Sequence, residues 1–438
     1  MTDHLERRRP GARTLAVAGA MLLFGAATVG AQDGTRKDTT AAQGSSKRDT
    51  TVAGGDVDAA ALRGRFEIYG FGQADLGFDF KRSDPNWYDV NRPSKLPSFD
   101  DEFGRNGNSF VSVRQSRLGA KAAFPTRRGE VFANFDFDMY GVGNDAGQTT
   151  IRLRHAYGEW NNFGAGQLES QFMDLDVFPN ILDYWGPNGM LFFRNAQVYW
   201  KPIDHGETRF SVALERPGAS GDAGVYRDRL ELENVKPRFP VPDLSAAYRT
   251  GAGWGYWRIA GIVRDIHWDQ TPTDTFDLSG SAVGWGLSTS SNLKFWGSDV
   301  LRLQLTYGEG IQNYFNDAPA DIGAERQFDN RRTPLDGVAL PIFGAVAFLD
   351  HSWSETFTSS LGWSMVDIDN SDAQAPNAYK RGHYAIANLL YTPVTNVMMG
   401  AEYQFGSREN HSDDFTFTGH RLQFSFKYSF SQTFGGKP

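Results

Sequence analysis

The chain lacks cysteine, and no apolar run beyond its short N-terminal one approaches the length of a membrane-spanning helix. None of the 438 residues is cysteine, which excludes disulfide bonds and thiolate metal ligands. The mean hydropathy is also low, at −0.46. Such a value does not exclude a membrane protein, because the lipid-facing residues of a β-barrel alternate with polar residues that face its lumen. The composition therefore leaves two classes open, a soluble protein and a transmembrane barrel.

Features typical of nucleic-acid-binding proteins and of hydrolases are also scarce. The formal net charge is −8, and no basic patch is interleaved with aromatic residues, so we expect no nucleic-acid partner. The eight histidines are scattered singly, and no Gly-x-Ser-x-Gly elbow occurs. A hydrolase would need a serine, a histidine and a carboxylate or amide to converge. We therefore expect neither an enzyme nor a cofactor, and we keep an outer-membrane hydrolase as an alternative.

The N-terminus has the pattern of a secretory signal peptide. Arginines precede an apolar segment, Leu15–Val29, and the small residues that follow end at Ala31. A positive end, a short apolar core and a small-residue cleavage site define such a signal. We therefore predict a signal peptide at residues 1–31. Residues 32–64 are rich in Thr, Ala, Gly and Ser and have no apolar period, so they are predicted to form a flexible periplasmic lead.

Alternation of apolar and polar residues dominates the rest of the chain. Aromatic residues make up 14 % of the sequence, and 33 residues are Phe. This excess suits the aromatic girdles of a membrane barrel. The clearest alternation lies near the C-terminus, where apolar side chains occupy every second position: Leu422, Phe424, Phe426, Tyr428 and Phe430. Polar residues lie between them, as in a strand with one lipid face and one wet face. We predict that Phe430 is the residue read by the barrel assembly machinery.

Long and short connections follow one another between the alternating segments. Residues 81–108 and 310–336 form long connections, whereas residues 350–353 form a short one. Outer-membrane barrels show this order because their extracellular loops are long and their periplasmic turns are short. The sequence therefore predicts an all-β fold, an antiparallel transmembrane β-barrel at residues 65–430. We expect about sixteen strands, with eighteen as an open alternative, and a short C-terminal tail at residues 431–438.

The central part of the chain resembles a known family. Its segments read IRLRHAYGEW at Ile151–Trp160, GQLESQFMDLDVFPNILDYWGP at Gly166–Pro187 and FFRNAQVYW at Phe192–Trp200. Together with Arg114-Gln115-Ser116-Arg117, these segments resemble the DcaP-type trimeric porins of bacterial outer membranes, and the resemblance extends over residues 65–430. It implies a trimeric sixteen-stranded barrel that passes small solutes and prefers organic anions. It also implies that the loop between the fifth and sixth strands folds inward and narrows the pore.

Charged residues on the inward parity of the strands are the predicted pore lining. Rings of charge in a narrow pore influence selectivity through their local field. The candidate basic residues are Arg117, Lys121, Arg152, Arg154, Arg421 and Lys427, and the candidate acidic residues are Asp75, Asp79, Asp136 and Asp138. Guanidinium groups offer planar forks that fit carboxylates. For any one of these residues, the alternative is a salt bridge that braces the barrel wall.

The predicted constriction loop supplies further candidates. They are Asp174, Asp176, Asp183, Tyr184 and Trp185. The three acids would oppose an anion preference if they faced the same water as the arginines. The aromatic residues either pack the loop against the wall or contact planar solutes in the pore. Both possibilities remain open.

Two local patterns leave alternatives. In the second strand, the parity that turns Arg117 and Lys121 inward sends Arg114 outward, and either a bulge or a protein-covered trimer contact would account for it. A late loop holds three acids: Asp367, Asp369 and Asp372. Their spacing could hold Ca²⁺, but the glycine and the closing glutamate of an EF-hand are missing. A solvated loop is the alternative, and we expect no metal site.

These observations predict an outer-membrane porin, a passive diffusion channel for small hydrophilic solutes. The family resemblance implies that it prefers small organic anions such as carboxylates. The predicted location is the bacterial outer membrane, reached by means of the signal peptide. Expected partners are outer-membrane lipid and lipopolysaccharide, small solutes, the barrel assembly machinery and, from the resemblance, further copies in a homotrimer. A non-conducting structural or adhesive barrel is the alternative function.

Overall fold

Sixteen antiparallel strands form the body of the molecule. The computed structural model describes residues 64–271, 275–295 and 297–435. The predicted signal peptide and the predicted lead up to residue 63 lie outside the described residues. The barrel strands, numbered first to sixteenth in chain order, are Arg65–Asp79, Arg117–Thr126, Gly129–Tyr140, Thr149–Trp160, Phe163–Glu169, Arg194–His205, Thr208–Glu215, Asp243–Ala252, Gly255–Gln270, Gly280–Phe295, Asp299–Glu309, Pro341–Ser352, Phe357–Ile368, Tyr379–Val394, Val397–Asn410 and Thr416–Gly435.

The first and sixteenth strands pair along their whole length and close the barrel. Their register runs from Arg65 opposite Gly435 to Asp79 opposite Arg421. The other strands pair with their neighbours in sequence. Closure satisfies the backbone N–H and C=O groups that an open edge would expose to lipid. The predicted all-β barrel of sixteen strands is therefore confirmed.

Two short strands lengthen the sheet without adding positions to the barrel. Asn108–Ser112 pairs with the end of the first strand, beside the second strand, which pairs with its beginning. Val235–Arg238 pairs with the end of the ninth strand in the same way, beyond the eighth strand. The eighteen segments of the sheet therefore fill sixteen positions, and the eighteen-strand alternative does not apply.

Short turns join the strands at one end of the barrel, the turn end, and long loops join them at the other, the loop end. Residues 127–128 and 161–162 are examples of turns, and residues 80–116 and 170–193 are examples of loops. The loops contain short helices at Pro85–Trp87, Pro93–Lys95, Gly143–Asp145, Leu175–Val177, Gly224–Tyr226, Leu230–Glu233 and Gln312–Tyr314. Among the described residues, none of the helices has the length and apolar character needed to cross a membrane.

A small second sheet lies in the loops. Ile322–Arg326 pairs with Leu335–Ala339 in antiparallel fashion and with Gly221–Asp222 in parallel fashion. It ties the loop after the seventh strand to the loop after the eleventh strand. These two loops are therefore held together by backbone hydrogen bonds as well as by side chains.

Apolar side chains cover the outer face of the barrel, and polar side chains fill the inner face. In the sixteenth strand, Phe424 and Phe426 are 55 % and 49 % exposed, whereas Arg421 and Gln423 are 4 % and 0 % exposed. This distribution is the reverse of that in a water-soluble sheet, and it fits a surface that lipid covers. The predicted alternation of the last strand is present in the structure.

The sixteenth strand ends later than predicted. It continues to Gly435, so the expected tail at residues 431–438 is too long. Its last five residues pair with Arg65–Tyr69 of the first strand. Phe434 points outward with Phe430, and its ring centroid lies 6.4 Å from that of Phe66. The sequence pattern misses this extension because Ser431–Thr433 are polar and find backbone partners only after the barrel closes.

A break before the second strand explains the parity of Arg114. The N–H of Ser116 donates to the C=O of Val113 at 3.0 Å, which makes a turn between Asn108–Ser112 and the second strand. Arg114 lies in this turn, is fully buried, and forms a 2.6 Å ion pair with Asp89. Neither a bulge in the strand nor a trimer contact is needed.

The main apolar core lies inside the barrel, between the loops and the inner wall. Residues of the long loops pack there against inward-facing residues of the strands; the cluster includes Phe172, Leu191, Ile262, Ile311, Tyr314, Phe315, Ile342 and Val366. Their burial stabilises the loops against the wall by the removal of apolar surface from water. Loops 170–193 and 310–340 therefore have fixed positions rather than extending into solvent.

Candidate functional site on the inner wall

Two arginines of the fourth strand share one carboxylate with a tyrosine of the 170–193 loop. The register of the third and fourth strands shifts between Asp136 and the next residue, so the fourth strand carries a bulge at Arg154. Arg152 and Arg154 each form a 2.8 Å ion pair with Asp138. The hydroxyl of Tyr184 also contacts Asp138 and both guanidinium groups. Both predicted arginines therefore lie on the inner face of the barrel, where Asp138 neutralises part of their charge.

The aromatic side chains of the 170–193 loop pack against other aromatic residues of the protein. The ring of Tyr184 stacks on that of Tyr140, with centroids 4.2 Å apart and planes at 10°. The ring of Trp185 meets that of Trp87 edge to face at 4.8 Å. The guanidinium carbon of Arg92 lies 4.1 Å from the centroids of both tryptophan rings, a cation–π arrangement. This packing favours the alternative in which these aromatics hold the loop in place.

Two of the three acids of the 170–193 loop accept hydrogen bonds from other residues of the protein. Asp174 accepts hydrogen bonds from Tyr256 at 2.8 Å and Ser290 at 2.5 Å. Asp183 accepts from the N–H groups of Asn91 at 3.2 Å and Gly186 at 3.1 Å. Burial nevertheless raises the pKa of Asp183 to about 6, because desolvation outweighs these hydrogen bonds.

The third loop acid is more accessible but is paired. Asp176 forms an ion pair with Arg249, and its side chain is 35 % exposed. Its backbone C=O accepts from the side chains of Asn292 and Arg302. The charge of Asp176 is therefore partly neutralised where it meets water.

The predicted wall acids are buried and paired or hydrogen-bonded. Arg421 binds Asp79 through two hydrogen bonds of 2.5 and 3.0 Å. Asp75 accepts from Ser425 at 2.5 Å. Asp136 accepts from Tyr69 at 2.8 Å. These contacts favour the wall-brace alternative for Asp79 and Arg421, whereas Asp75 is held by hydrogen bonds from neutral side chains.

Three predicted basic residues lie together nearer the turn end, beside two inward-facing aromatics. The ammonium of Lys121 lies 4.4 Å from the ring centroid of Tyr69. Lys427 and Arg117 lie 5.0 and 5.4 Å from the ring centroid of Phe71. All three cations are partly exposed. In the described part of the chain, neither Lys121 nor Lys427 is within ion-pair distance of a carboxylate.

The structure adds a histidine that the strand pattern missed. The ring nitrogens of His155 lie 2.8 Å from Asp136 and 2.8 Å from Glu169. Glu169 also pairs with Arg194 at 3.2 Å. A strict period of 2 places His155 on the lipid face, but the bulge at Arg154 turns it inward. Only the pairing register shows this change, so the sequence offers no signal for it.

The three acids of the late loop do not come together. Asp367 pairs with Arg381 at 2.7 Å, and Asp372 accepts a 2.9 Å hydrogen bond from the N–H of Arg326. Among residues 64–271, 275–295 and 297–435, no group of three or more His, Cys, Asp or Glu side chains could hold a metal ion. The calcium alternative therefore has no support from the geometry.

Comparisons with known proteins agree with this architecture. A family model described as DcaP outer membrane protein matches residues 39–430. The crystal structure of the outer membrane channel DcaP of Acinetobacter baumannii superposes with a TM-score of 0.70 at 20 % sequence identity, covering 85 % of this chain and 99 % of that one. No curated protein matches the chain.

Two more distant porin structures share the fold. An anion-selective porin from Comamonas acidovorans has a TM-score of 0.53 at 8 % identity, covering 84 % of this chain and 100 % of its own. A trimer form of OmpT from Vibrio cholerae has a TM-score of 0.50 at 11 % identity, covering 84 % and 99 %. At such identities the solved structures establish the fold alone.

Proposed function

Because the chain belongs to the DcaP outer membrane protein family, we propose that it is a passive diffusion channel that favours small organic anions. The chain is a porin by family and fold, located in the bacterial outer membrane. The family and the solved structures that it matches are outer-membrane proteins and channels, not enzymes.

The 170–193 loop is proposed to form the constriction. It lies between the fifth and sixth strands, and its residues contact the inner face on several sides of the barrel. Asn180 donates to Asp350 of the twelfth strand at 3.4 Å, Leu182 donates to Glu402 of the fifteenth strand at 2.7 Å, and Tyr184 contacts Asp138 of the third strand. A loop with contacts on opposite walls crosses the lumen and leaves less room for solutes.

The anion preference rests on one observation, the accessible and unpaired cations of the inner wall. Lys121 and Lys427 are partly exposed and, among the described residues, form no ion pair with a carboxylate. The acids of the 170–193 loop are instead taken up by hydrogen bonds or by Arg249. A solute in the lumen would therefore meet the positive charge of these two lysines, although the whole chain is acidic.

Arg152 contributes less than the two lysines. Its side chain is 20 % exposed and already shares Asp138 with Arg154, which is 4 % exposed. A planar guanidinium fork at the edge of the lumen can still orient a carboxylate that passes. We therefore assign Arg152 a secondary role and Arg154 the role of a brace.

The test is the reversal potential of the purified protein in planar bilayers with a salt gradient. We expect ohmic steps and a potential of the sign that an anion-preferring pore gives. Replacing Lys121 and Lys427 with Gln should move the potential toward cation preference. The matched control replaces Arg127 and Arg128, two exposed residues of a turn, with Gln, which changes the net charge equally but outside the lumen.

Three results would contradict the proposal. Absence of conductance steps would favour a structural or adhesive barrel. Equal reversal potentials for the parent and the lysine variant would remove these residues from selectivity. An equal shift in the turn variant would show that net charge alone sets the potential.

A further inference from the structure

A buried carboxylate of the fifteenth strand binds the backbone of the 170–193 loop at its tip. Glu402 is 1 % exposed. Its two oxygens accept the N–H groups of Leu182 at 2.7 Å and Asp183 at 3.0 Å. Successive backbone N–H groups that converge on one anion form a tight binding arrangement. We propose that Glu402 is the positioning residue that fixes this loop across the pore, an inference that rests on the proposed role of the loop as the constriction.

Glu402 depends on the loop because it has no counter-ion. In the described part of the chain, no Lys, Arg or His lies within ion-pair distance of it. Its remaining donors are the side-chain amides of Asn388 at 3.0 Å and Gln404 at 2.9 Å. A buried carboxyl group without a cation is stabilised only by its hydrogen bonds, and loss of any one is costly. The coupling is mutual, so the carboxylate holds the loop as strongly as the loop holds the carboxylate.

The same peptide is held from its other side. The C=O of Leu182 accepts the side-chain amides of Gln115 at 3.0 Å and Gln423 at 3.2 Å. Gln115 lies just before the second strand and Gln423 lies in the sixteenth. Side chains from three parts of the barrel therefore form hydrogen bonds with the backbone of one loop residue, Leu182. We refer to Glu402, Gln115 and Gln423 as the clamp.

The clamp lies next to the residues that reach the arginines. Tyr184 follows Asp183 directly and contacts Asp138, Arg152 and Arg154. A displacement of Leu182 by a few ångströms would pull the hydroxyl of Tyr184 out of hydrogen-bond range, since such bonds weaken steeply with distance and angle. Glu402 thus acts on the pore through the loop, without facing the solute itself.

The alternative is that many contacts together fix the position of the loop and that the clamp is no more important than the others. Asp174 is held by Tyr256 and Ser290, and the indole of Trp185 donates to the C=O of Asn316 at 2.7 Å. If these contacts fix the loop by themselves, loss of the clamp will change nothing in the pore. The two accounts therefore differ in their prediction for a single substitution.

The experiment measures single-channel conductance and open-channel noise of Glu402→Ala and Glu402→Gln in planar bilayers. Conductance follows the narrowest part of a pore, so we expect Glu402→Ala to raise the step size roughly 1.5-fold or more and to broaden it. Glu402→Gln keeps one acceptor and should fall between Ala and the parent. The control is Glu409→Ala on the outer face of the same strand, where Glu409 pairs with Arg381 at 3.3 Å; its conductance should equal the parent's.

A cross-link tests positioning directly, because the parent chain contains no cysteine. A Cβ at Gly400 would lie 3.1 Å from Cδ1 of Leu182, so side chains at these two positions meet, and the pair Leu182→Cys and Gly400→Cys is the cross-link to make. In the Glu402→Ala background, oxidation should return the conductance to the parent value, and reduction should raise it again. A merely structural loss would not be reversed by a tether.

The outcomes separate this inference from the proposed function. If the parent does not conduct, the proposed function fails and the inference falls with it. If the parent conducts and Glu402→Ala matches it, the inference alone is overturned. If Glu402→Ala does not fold, Gln423→Ala and Gln115→Ala report on the other side of the clamp: larger conductance supports the inference, and unchanged conductance overturns it.

Discussion

At the scale of single residues, most charges of the inner wall serve as braces. Asp79 and Arg421 are 5 % and 4 % exposed and bind each other through two hydrogen bonds. Their pairing offsets the cost of removing both charges from water, and loss of one partner would leave the other buried and uncompensated. A candidate chosen by parity can therefore face inward and still be hidden from solutes.

Arg421→Ala tests this assignment. We expect destabilisation by about 3–5 kcal/mol, the usual cost of leaving one half of a buried ion pair, and an unchanged reversal potential. The measurement is the temperature at which the folded band converts to the denatured band on electrophoresis. Arg238→Ala breaks an ion pair with Asp269 whose side chains are 50 % and 45 % exposed, and it should cost only about 0–1 kcal/mol. A shift in reversal potential with unchanged stability would contradict the brace assignment and show that Arg421 acts on solutes in the pore.

At the scale of strands, simple alternation is enough to predict position but not termination. Leu422–Phe430 follow period 2 without interruption, so the face and the parity of the sixteenth strand can be predicted. The bulge at Arg154 and the break at Arg114 cannot, because each depends on which backbone groups a neighbouring strand offers. The ion pairs of the wall cannot be predicted for the same reason, since parity does not say which strands are adjacent in register.

The later end of the sixteenth strand changes the prediction for assembly. Phe430 and Phe434 both lie in the strand, and Phe434 is the last aromatic before Gly435. If position at the end of the strand is what the assembly machinery reads, Phe434→Ser should lower the outer-membrane yield more than Phe430→Ser. Surface labelling of whole cells would measure the yield. Leu361→Ser, at a 62 % exposed position of the thirteenth strand, controls for loss of lipid-facing apolar area, and a Phe430→Ser defect larger than that of Phe434→Ser would contradict the expectation.

At the scale of the whole molecule, the barrel is expected to associate as a homotrimer. The resemblance of the central segments to the DcaP-type trimeric porins implies this state. The mature protein in mild detergent should have the mass of three chains by light scattering, and heating should convert it to single chains. A protein that remains a single chain at every concentration in mild detergent would contradict the prediction.

Closure of the barrel has a consequence for the order of folding. The bond between Arg421 and Asp79 joins residues 342 positions apart in the chain, and all fifteen register pairs of this seam are of similar separation. Contacts between residues so far apart in sequence form slowly, because the chain must lose the conformational entropy of a long segment before these contacts can form. Until the seam forms, the nascent sheet has two free edges that can pair with other chains. The lifetime of that open sheet, rather than the stability of the finished barrel, should set how much protein is lost to aggregation.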